Sequence, residues 1–360
     1  MASIFENARH GRALAQALDA FAQVPLLRTG LRLGLFEALR TPQDARSLAD
    51  RLGLAPDLVA AWARNLQAQG WLQKAGRSAP GAAGQQKGEV YRLAAGTVWL
   101  LDAPEAQSLH ALLEYAVDTM AGRLGALPDM MKGAERPPFG RGDEARRMAA
   151  ITRLVEPRAL RAIESIPGAR HPQRVLDIGC GRGDYLAELL TRYRDALGLG
   201  IEIDAGVAEQ ARRRLAEADV TRRAEVMVGD FRTMELPRGN FDLILLNHNL
   251  HYFAPAERPA LLRRARGRLN EGGVMAVQTL VLTEGILPSV LGLQAGAALF
   301  DLLLRAHSNL YGLPSAADVH QALRDAGFAS TGEVSVIPGG AVRYVFGTVA
   351  PPMAEPRTGA

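Results

Sequence analysis

The sequence predicts an α/β chain in two parts: a mainly helical N-terminal domain of winged-helix type, then a Rossmann-like sheet covered by helices. Three observations predict it. From residue 8 to about 165 the pattern is helical, rich in Ala, Leu and Arg, with few strand-like runs. From Arg174 onward, short β-rich runs alternate with helical stretches, the pattern of a parallel sheet buried on both faces. The first of those runs ends in Asp177-Ile178-Gly179-Cys180-Gly181-Arg182-Gly183 and passes straight into a helix, the place where such sheets bind nucleotides.

The elements follow in order. Gly30 to Leu39 reads as a helix packed on a core. Asp44 to Leu52 is a second, with Ser47, Leu48 and Ala49 facing inward and Gly53 ending it. Asp57 to Gln69 is a third, opened by Pro56 and closed by Gly70. Trp71-Leu72-Gln73, a Gly/Ala/Gln/Lys stretch at 75–88 and Val90-Tyr91-Arg92-Leu93 complete a winged-helix pattern over 1–101. Read as a DNA-binding unit, the third helix should carry several cations. It offers only Arg64, Asn65 and Gln67 among Leu58, Val59, Trp62 and Leu66, so it is a packing helix.

Residues 102–168 read as a helical connector, broken at Pro137-Pro138-Phe139-Gly140 and continued by a helix from Asp143 to Ser165. The sheet domain spans 169–350. Its strands begin at Arg174, Ala196, Ala224, Phe241 and Gly273, and helices fall at 185–193, 205–217, 257–269 and 318–326. A closing pair, Val334–Ile337 and Val342–Val349, is joined by Pro338-Gly339-Gly340. Residues 351–360 read as a disordered tail.

With 360 residues and 48% hydrophobic content the chain can bury two cores. A net charge of +4 is too mild to imply nucleic acid. One cysteine, Cys180, and no recognisable secretion signal predict a cytoplasmic protein. The apolar run 286–300 contains Pro288 and Gln294 and is too short for a membrane span, so no membrane partner is expected.

The glycine turn narrows the ligand. A dinucleotide fingerprint would need glycine at 184, where the chain has Asp, and no Gly-Lys-Ser/Thr follows for a nucleoside triphosphate. Asp177, two places before Gly179, suits a cationic ligand that carries an amino-acid ammonium. Glu202 ends the second strand and can take both hydroxyls of a ribose, with Asp204 as a nearby alternative. Asp230 and Phe231 follow the third strand, placed to bond and stack an adenine; a turn cap is the other role open to Asp230. Asn247-His248-Asn249-Leu250-His251 follows the fourth strand and faces the same cleft. Cys180 reads as a small buried filler.

The set Val175–Gly183, Gly200–Asp204, Gly229-Asp230 and Asn247–His251 resembles class I S-adenosylmethionine-dependent methyltransferases. With the winged-helix front end, the chain is similar to the small-molecule O-methyltransferases of plants and bacteria over residues 10–349. The resemblance implies S-adenosylmethionine as cofactor, a seven-stranded sheet with its last strand antiparallel, and an N-terminal domain that forms a homodimer instead of binding nucleic acid. It implies Asp177, Gly179 and Gly181 for the methionine part, with Gly183 and Asn247 beside them, Glu202 for the ribose and Asp230 with Phe231 for the adenine. His251 falls where the plant enzymes carry Leu-His-Asp and use the histidine as general base. Tyr252 replaces that acid here, and a packing role for His251 stays open.

The acceptor pocket is expected from the apolar insertion 286–311, with His307 and Asn309, and from His110, Tyr115 and Met120 of the connector, with His248 close by. Such a pocket suits an aromatic or polyketide-like secondary metabolite. Two alternatives remain. One is C-methylation of an α-keto acid with a metal on His251 and His307, although no third ligand is evident; the other is a non-catalytic regulator that binds S-adenosylmethionine. Asn247, in place of an Asp, argues against a magnesium-dependent catechol-type enzyme, and the absence of Asn-Pro-Pro-Tyr argues against adenine or glutamine methylation.

Overall fold

The protein is described from a computed structural model, over residues 2–77, 88–139, 143–154, 156–281 and 293–349. The loop after Arg77, part of the expected insertion at 286–311 and the tail 351–360 therefore lie outside the described residues. The chain forms two compact units, Met1–Gly122 and Arg123–Ala360. The dividing point falls inside the stretch 102–168 expected as a connector.

In the first unit, α1 (Ala2–Arg32) and α2 (Leu35–Ala38) replace the single helix expected over Gly30–Leu39. Gly34 adopts a left-handed φ of 69°, which ends one helix and caps the next, so the run is two elements. The side chain of Asp44 caps α3 (Ala45–Leu52), accepting the amides of Arg46 and Ser47. That corrects the placement of Ser47: its hydroxyl donates to Asp44 Oδ2 at the surface, while Leu48 and Ala49 alone are buried. Helix α4 (Pro56–Ala68) buries Val59, Trp62, Ala63 and Leu66. The Trp62 indole N–H donates to the Leu26 carbonyl at 3.0 Å. Strands β1 (Gln43–Asp44), β2 (Leu72–Arg77) and β3 (Glu89–Leu93) form an antiparallel sheet in the order β1-β3-β2. This is the expected wing. Helices α5 (Ala95–Asp102) and α6 (Ala106–Tyr115) follow.

The chain crosses the dividing point in α7 (Ala121–Gly125), and α8 (Leu127–Met131) follows. The helix expected over 143–165 is two helices, α9 (Asp143–Thr152) and α10 (Glu156–Glu164). Pro157 explains the break, since it lacks an N–H and its ring would clash with the carbonyl four residues earlier. The sheet of this unit comprises β4 (Arg174–Ile178), β5 (Leu197–Glu202), β6 (Ala224–Val228), β7 (Phe241–Asn247), β8 (Leu269–Leu280), β9 (Ser330–Ser335) and β10 (Val342–Thr348). Its seven strands run in the order β6-β5-β4-β7-β8-β10-β9, with β10 antiparallel to both neighbours. The order reverses between β4 and β7, which makes the cleft outside their carboxyl ends the binding position of such a sheet. Helices α10, α11 (Asp184–Arg192) and α12 (Ala205–Glu217) cover one face through Ile163, Leu186, Leu190, Ala211 and Leu215. Helices α13 (Arg258–Arg266) and α15 (Ala316–Asp325) cover the other through Leu261, Leu262, Val319 and Leu323, and α14 (Leu293–Arg305) comes between them in sequence. Among the described residues, no helix is long and apolar enough to cross a membrane.

Candidate active site

One face of the sheet changes character at its carboxyl end. On β4, Val175 is followed two places on by Asp177; on β7, Leu243 and Leu245 by Asn247; on β8, Val274 and Ala276 by Gln278. Side chains alternate along a strand, so each series stays on one face and turns from core to polar together. Asn247 pairs with Gln278, and Gln278 with Tyr344, across neighbouring strands. The Tyr344 hydroxyl donates to Asn247 Oδ1 at 3.0 Å, and the Tyr185 hydroxyl, from α11, to Gln278 Oε1 at 2.9 Å. Asn247 Nδ2, Gln278 Nε2 and both carboxylate oxygens of Asp177 are buried without a hydrogen-bond partner among the described residues.

Asp177 is 1% exposed. Burial first, then the charge of Glu202, pushes its carboxyl up to about 7. A buried carboxylate with no counterion is costly, so its position against a cavity marks it as a group that awaits a cation.

The glycine turn above it is built as expected. Gly179, Gly181 and Gly183 have φ of 68°, 54° and 76°, which favour glycine. The amides of Gly179 and Cys180 both donate to the Ile201 carbonyl of β5. Asn249 Nδ2 donates to the carbonyls of Ile178 and Gly179 at 3.0 and 2.8 Å. A Cβ at position 179 would meet that nitrogen at 2.3 Å, so the grip of Asn249 itself requires glycine. The sequence placed Asn249 in the cleft-facing run at 247–251 but gave it no role of its own.

Glu202 bridges the turn and its own strand end: Oε2 accepts from the Gly181 amide and Oε1 from that of Asp204. Burial nonetheless raises its carboxyl, against those bonds. Asp204, the alternative, caps α12. Asp230 lies at the cavity and is held bidentate by Arg232, with N···O distances of 2.7 Å to Oδ2 and 3.1 Å to Oδ1, which keeps it below the usual carboxylate range. It also accepts the Arg232 amide, the turn-capping role read as its second possibility. Phe231 lines the same wall, yet its ring is sunk in the core, with the Arg264 guanidinium carbon 5.4 Å from its centroid. Cys180 is a buried thiol raised well above its ordinary value, first by burial and then by Asp177 and Glu202, so it is no nucleophile at neutral pH.

These groups line a cavity of about 470 Å3 that continues past the turn to an aromatic end. That end is built from Phe139, His251, Tyr252 and Phe300. The ring of Phe139 meets Tyr252 edge-on at 5.9 Å, His251 lies 4.7 Å from Tyr252, and Phe300 meets His251 edge-on at 6.0 Å. His248 also lines the cavity and sits at φ 54°, a strained conformation for a non-glycine residue. Burial lowers it to about 4. Burial, then His248 and then Arg258, lowers His251 to about 3, so its ring is neutral at physiological pH. No carboxylate bonds to that ring among the described residues, in keeping with Tyr252 where the plant pattern has Asp.

The remaining pocket residues scatter. Asn309 lines the cavity and accepts the Phe139 amide at 2.6 Å, holding that segment in place. His307 is not on the wall. Its Nδ1 lies 2.7 Å from the Leu303 carbonyl, Nε2 stands 3.6 Å from Glu144, and its ring backs Phe139 at 5.6 Å. His110, Tyr115 and Met120 belong to the first unit: His110 bonds the Leu100 carbonyl, Tyr115 is buried, and Met120 ends a π-helical turn. Residues that sequence reasoning missed are Glu156, Tyr185 and Gln278. No motif marks them, because each is brought in by tertiary packing.

Comparison with known proteins agrees with this geometry. Residues 175–273 match the family described as "Methyltransferase domain". The chain is 34% identical over 159 residues to 8-amino-8-demethylriboflavin N,N-dimethyltransferase of Streptomyces davaonensis, covering 41% of this chain and 45% of that protein. It is 32% identical over 135 residues to L-tyrosine C(3)-methyltransferase of Streptomyces lavendulae, covering 35% and 37%. The chain thus spans less than half the length of these curated relatives. In three dimensions it superimposes on an O-methyltransferase family protein from Burkholderia thailandensis with a TM-score of 0.75 and 21% identity, over 93% of this chain and 97% of that one. The fold is therefore that of the O-methyltransferases.

Proposed function

We propose that this chain, a class I methyltransferase by its domain at 175–273 and by its fold, methylates a hydroxyl of a small aromatic or polyketide-like metabolite. S-adenosylmethionine is the donor. The observation that carries the donor is Asp177: a buried, unpartnered carboxylate beneath a glycine turn suits an amino-acid ammonium and repels a phosphate. The donor's sulfonium supplies a methyl group that is already activated. The chain's own task is to align and exclude water. Asp177 binds the ammonium, the turn at 179–183 admits close approach, Glu202 accepts the ribose hydroxyls, and Asp230 with Phe231 borders the adenine.

At the aromatic end, Phe139, Tyr252 and Phe300 form walls for a planar acceptor, and neutral His251 accepts the hydroxyl proton. The two curated relatives act at nitrogen and at carbon by their names, so the acceptor atom rests on His251, which serves a hydroxyl. The test is turnover. Purified protein with methyl-labelled S-adenosylmethionine and a panel of phenols, hydroxynaphthoates and hydroxyanthraquinones yields a labelled methyl ether. Tight donor binding with no methylated product across the panel would favour the regulator reading.

The working unit is a homodimer joined through the N-terminal domain, in the cytoplasm. Leu14, Leu18 and Phe21, spaced along one face of α1, are 63%, 61% and 70% exposed, an apolar stripe suited to a second copy. Sedimentation is expected to show a dimer that Leu18→Glu with Phe21→Glu converts to a monomer. A wild-type monomer would end this part of the proposal.

A further inference from the structure

We infer that Glu156 is a second anchor for the ammonium group of the donor's amino-acid moiety, on the wall of the cavity that also holds Asp177. This rests on the donor assignment above and adds a residue to it. Helix α10 packs Ala159, Ala162 and Ile163 onto the same sheet face that carries Asp177. Glu156 opens that helix, and with Asp177 and Tyr185 it lines the cavity. It is 8% exposed. The wall it joins already holds the unpartnered carboxylate of Asp177, which is deeper and nine-tenths buried or more.

The charges that face Glu156 come from three places. Asp184 and Glu188 of α11 are negative, and Arg214 of α12 and the preceding Arg153 are positive. Arg214 is bonded to Asp184 at 3.0 Å and to Glu188 at 2.7 Å, so its charge is already engaged. Asp177 has Glu202 as its charged neighbour. Arg182, 4.0 Å from Asp184, borders the same end, so the groups left for a cation brought by a ligand are the carboxyls of Asp177 and Glu156.

Burial, and next the charge of Asp184, pushes Glu156 up to about 8, so in the ligand-free cavity it is protonated at neutral pH. An ammonium favours the ionised carboxylate, so binding expels a proton from Glu156 to solvent. Affinity for an ammonium-bearing ligand therefore tightens as the pH rises from about 6 toward 8, up to the point where the free amine itself loses its proton.

The test is calorimetry with two ligands, S-adenosylhomocysteine, which carries the ammonium, and 5′-methylthioadenosine, which lacks the amino-acid part. Glu156→Gln is expected to weaken S-adenosylhomocysteine by about tenfold at pH 7.5, the scale of one charge-assisted bond. It leaves 5′-methylthioadenosine within about twofold, and proton release, measured in buffers of different ionisation enthalpy, falls. Glu156→Asp recovers part of the affinity. Unchanged S-adenosylhomocysteine affinity, or an equal loss of both ligands, overturns the inference, because a structural cap on α10 gives one or the other. Wild-type protein that binds neither ligand overturns the donor assignment itself.

Discussion

Asp177→Ala lowers the affinity for S-adenosylmethionine by more than about 100-fold and, at the same time, raises the melting temperature of the ligand-free protein. The first effect follows from burial. An ammonium taken out of water and left without its partner loses interactions worth roughly 3–5 kcal/mol. The second follows from the same carboxylate with the ligand absent: it is 1% exposed, and both oxygens lack a hydrogen-bond partner among the described residues. Binding sites often hold such groups at a cost to stability. The pH dependence has a definite sign. The folded-state value, about 7, lies above the ordinary 3.8, so the contribution of this group is fully present below about pH 4 and is lost as the pH rises through 7. Glu156, raised to about 8, extends the loss by a further step. Scanning calorimetry from pH 4 to 8 should show the wild-type melting temperature falling over this window and the alanine variant falling less. Undiminished affinity for S-adenosylmethionine in the variant would remove the basis for the donor assignment.

His251→Ala lowers kcat by about 100-fold, the low end for loss of a proton acceptor, and leaves the donor dissociation constant within about twofold. The two effects separate because His251 lies at the aromatic end of the cavity and Asp177 beneath the glycine turn. The pH profile carries further information. With the ring held neutral down to about 3 by burial, His248 and Arg258, kcat/KM for the acceptor at saturating donor is expected to stay flat from pH 8 to about 5. An ordinary histidine would give a fall centred near 6.5. A variant as active as wild type would return His251 to a packing role against Tyr252 and Phe300.

The parts of the protein governed by short-range chemistry were legible in the sequence. The turn at 177–183 announces itself because three positive-φ positions fall within five residues, after an apolar run that fits a buried strand. The hairpin at Gly339-Gly340 and the inward face of α4 are readable for the same reason. What escaped depends on residues far apart in sequence. Asn249 grips a carbonyl 70 residues earlier. Glu156 lines the same cavity as Asp177 only because α10 packs on the sheet face that carries α11. His307 looked like a pocket residue in an apolar insertion, but it turns to its own helix carbonyl at Leu303. Pro157 did carry a local signal for the break between α9 and α10, and the helical periodicity around it concealed that signal.

Cys180 lies beneath the donor turn with its sulfur where a Cβ at Gly200 would come within 2.7 Å, so strand and turn close on it without slack. It is the chain's single thiol, buried and held protonated. A thiol-specific reagent reaches it only during the moments when the turn lifts away from β5. Its labelling rate is thus a built-in clock for local opening, read at one atom and free of interference from any other sulfhydryl. A ligand that holds the turn shut slows that clock in proportion to the opening it suppresses.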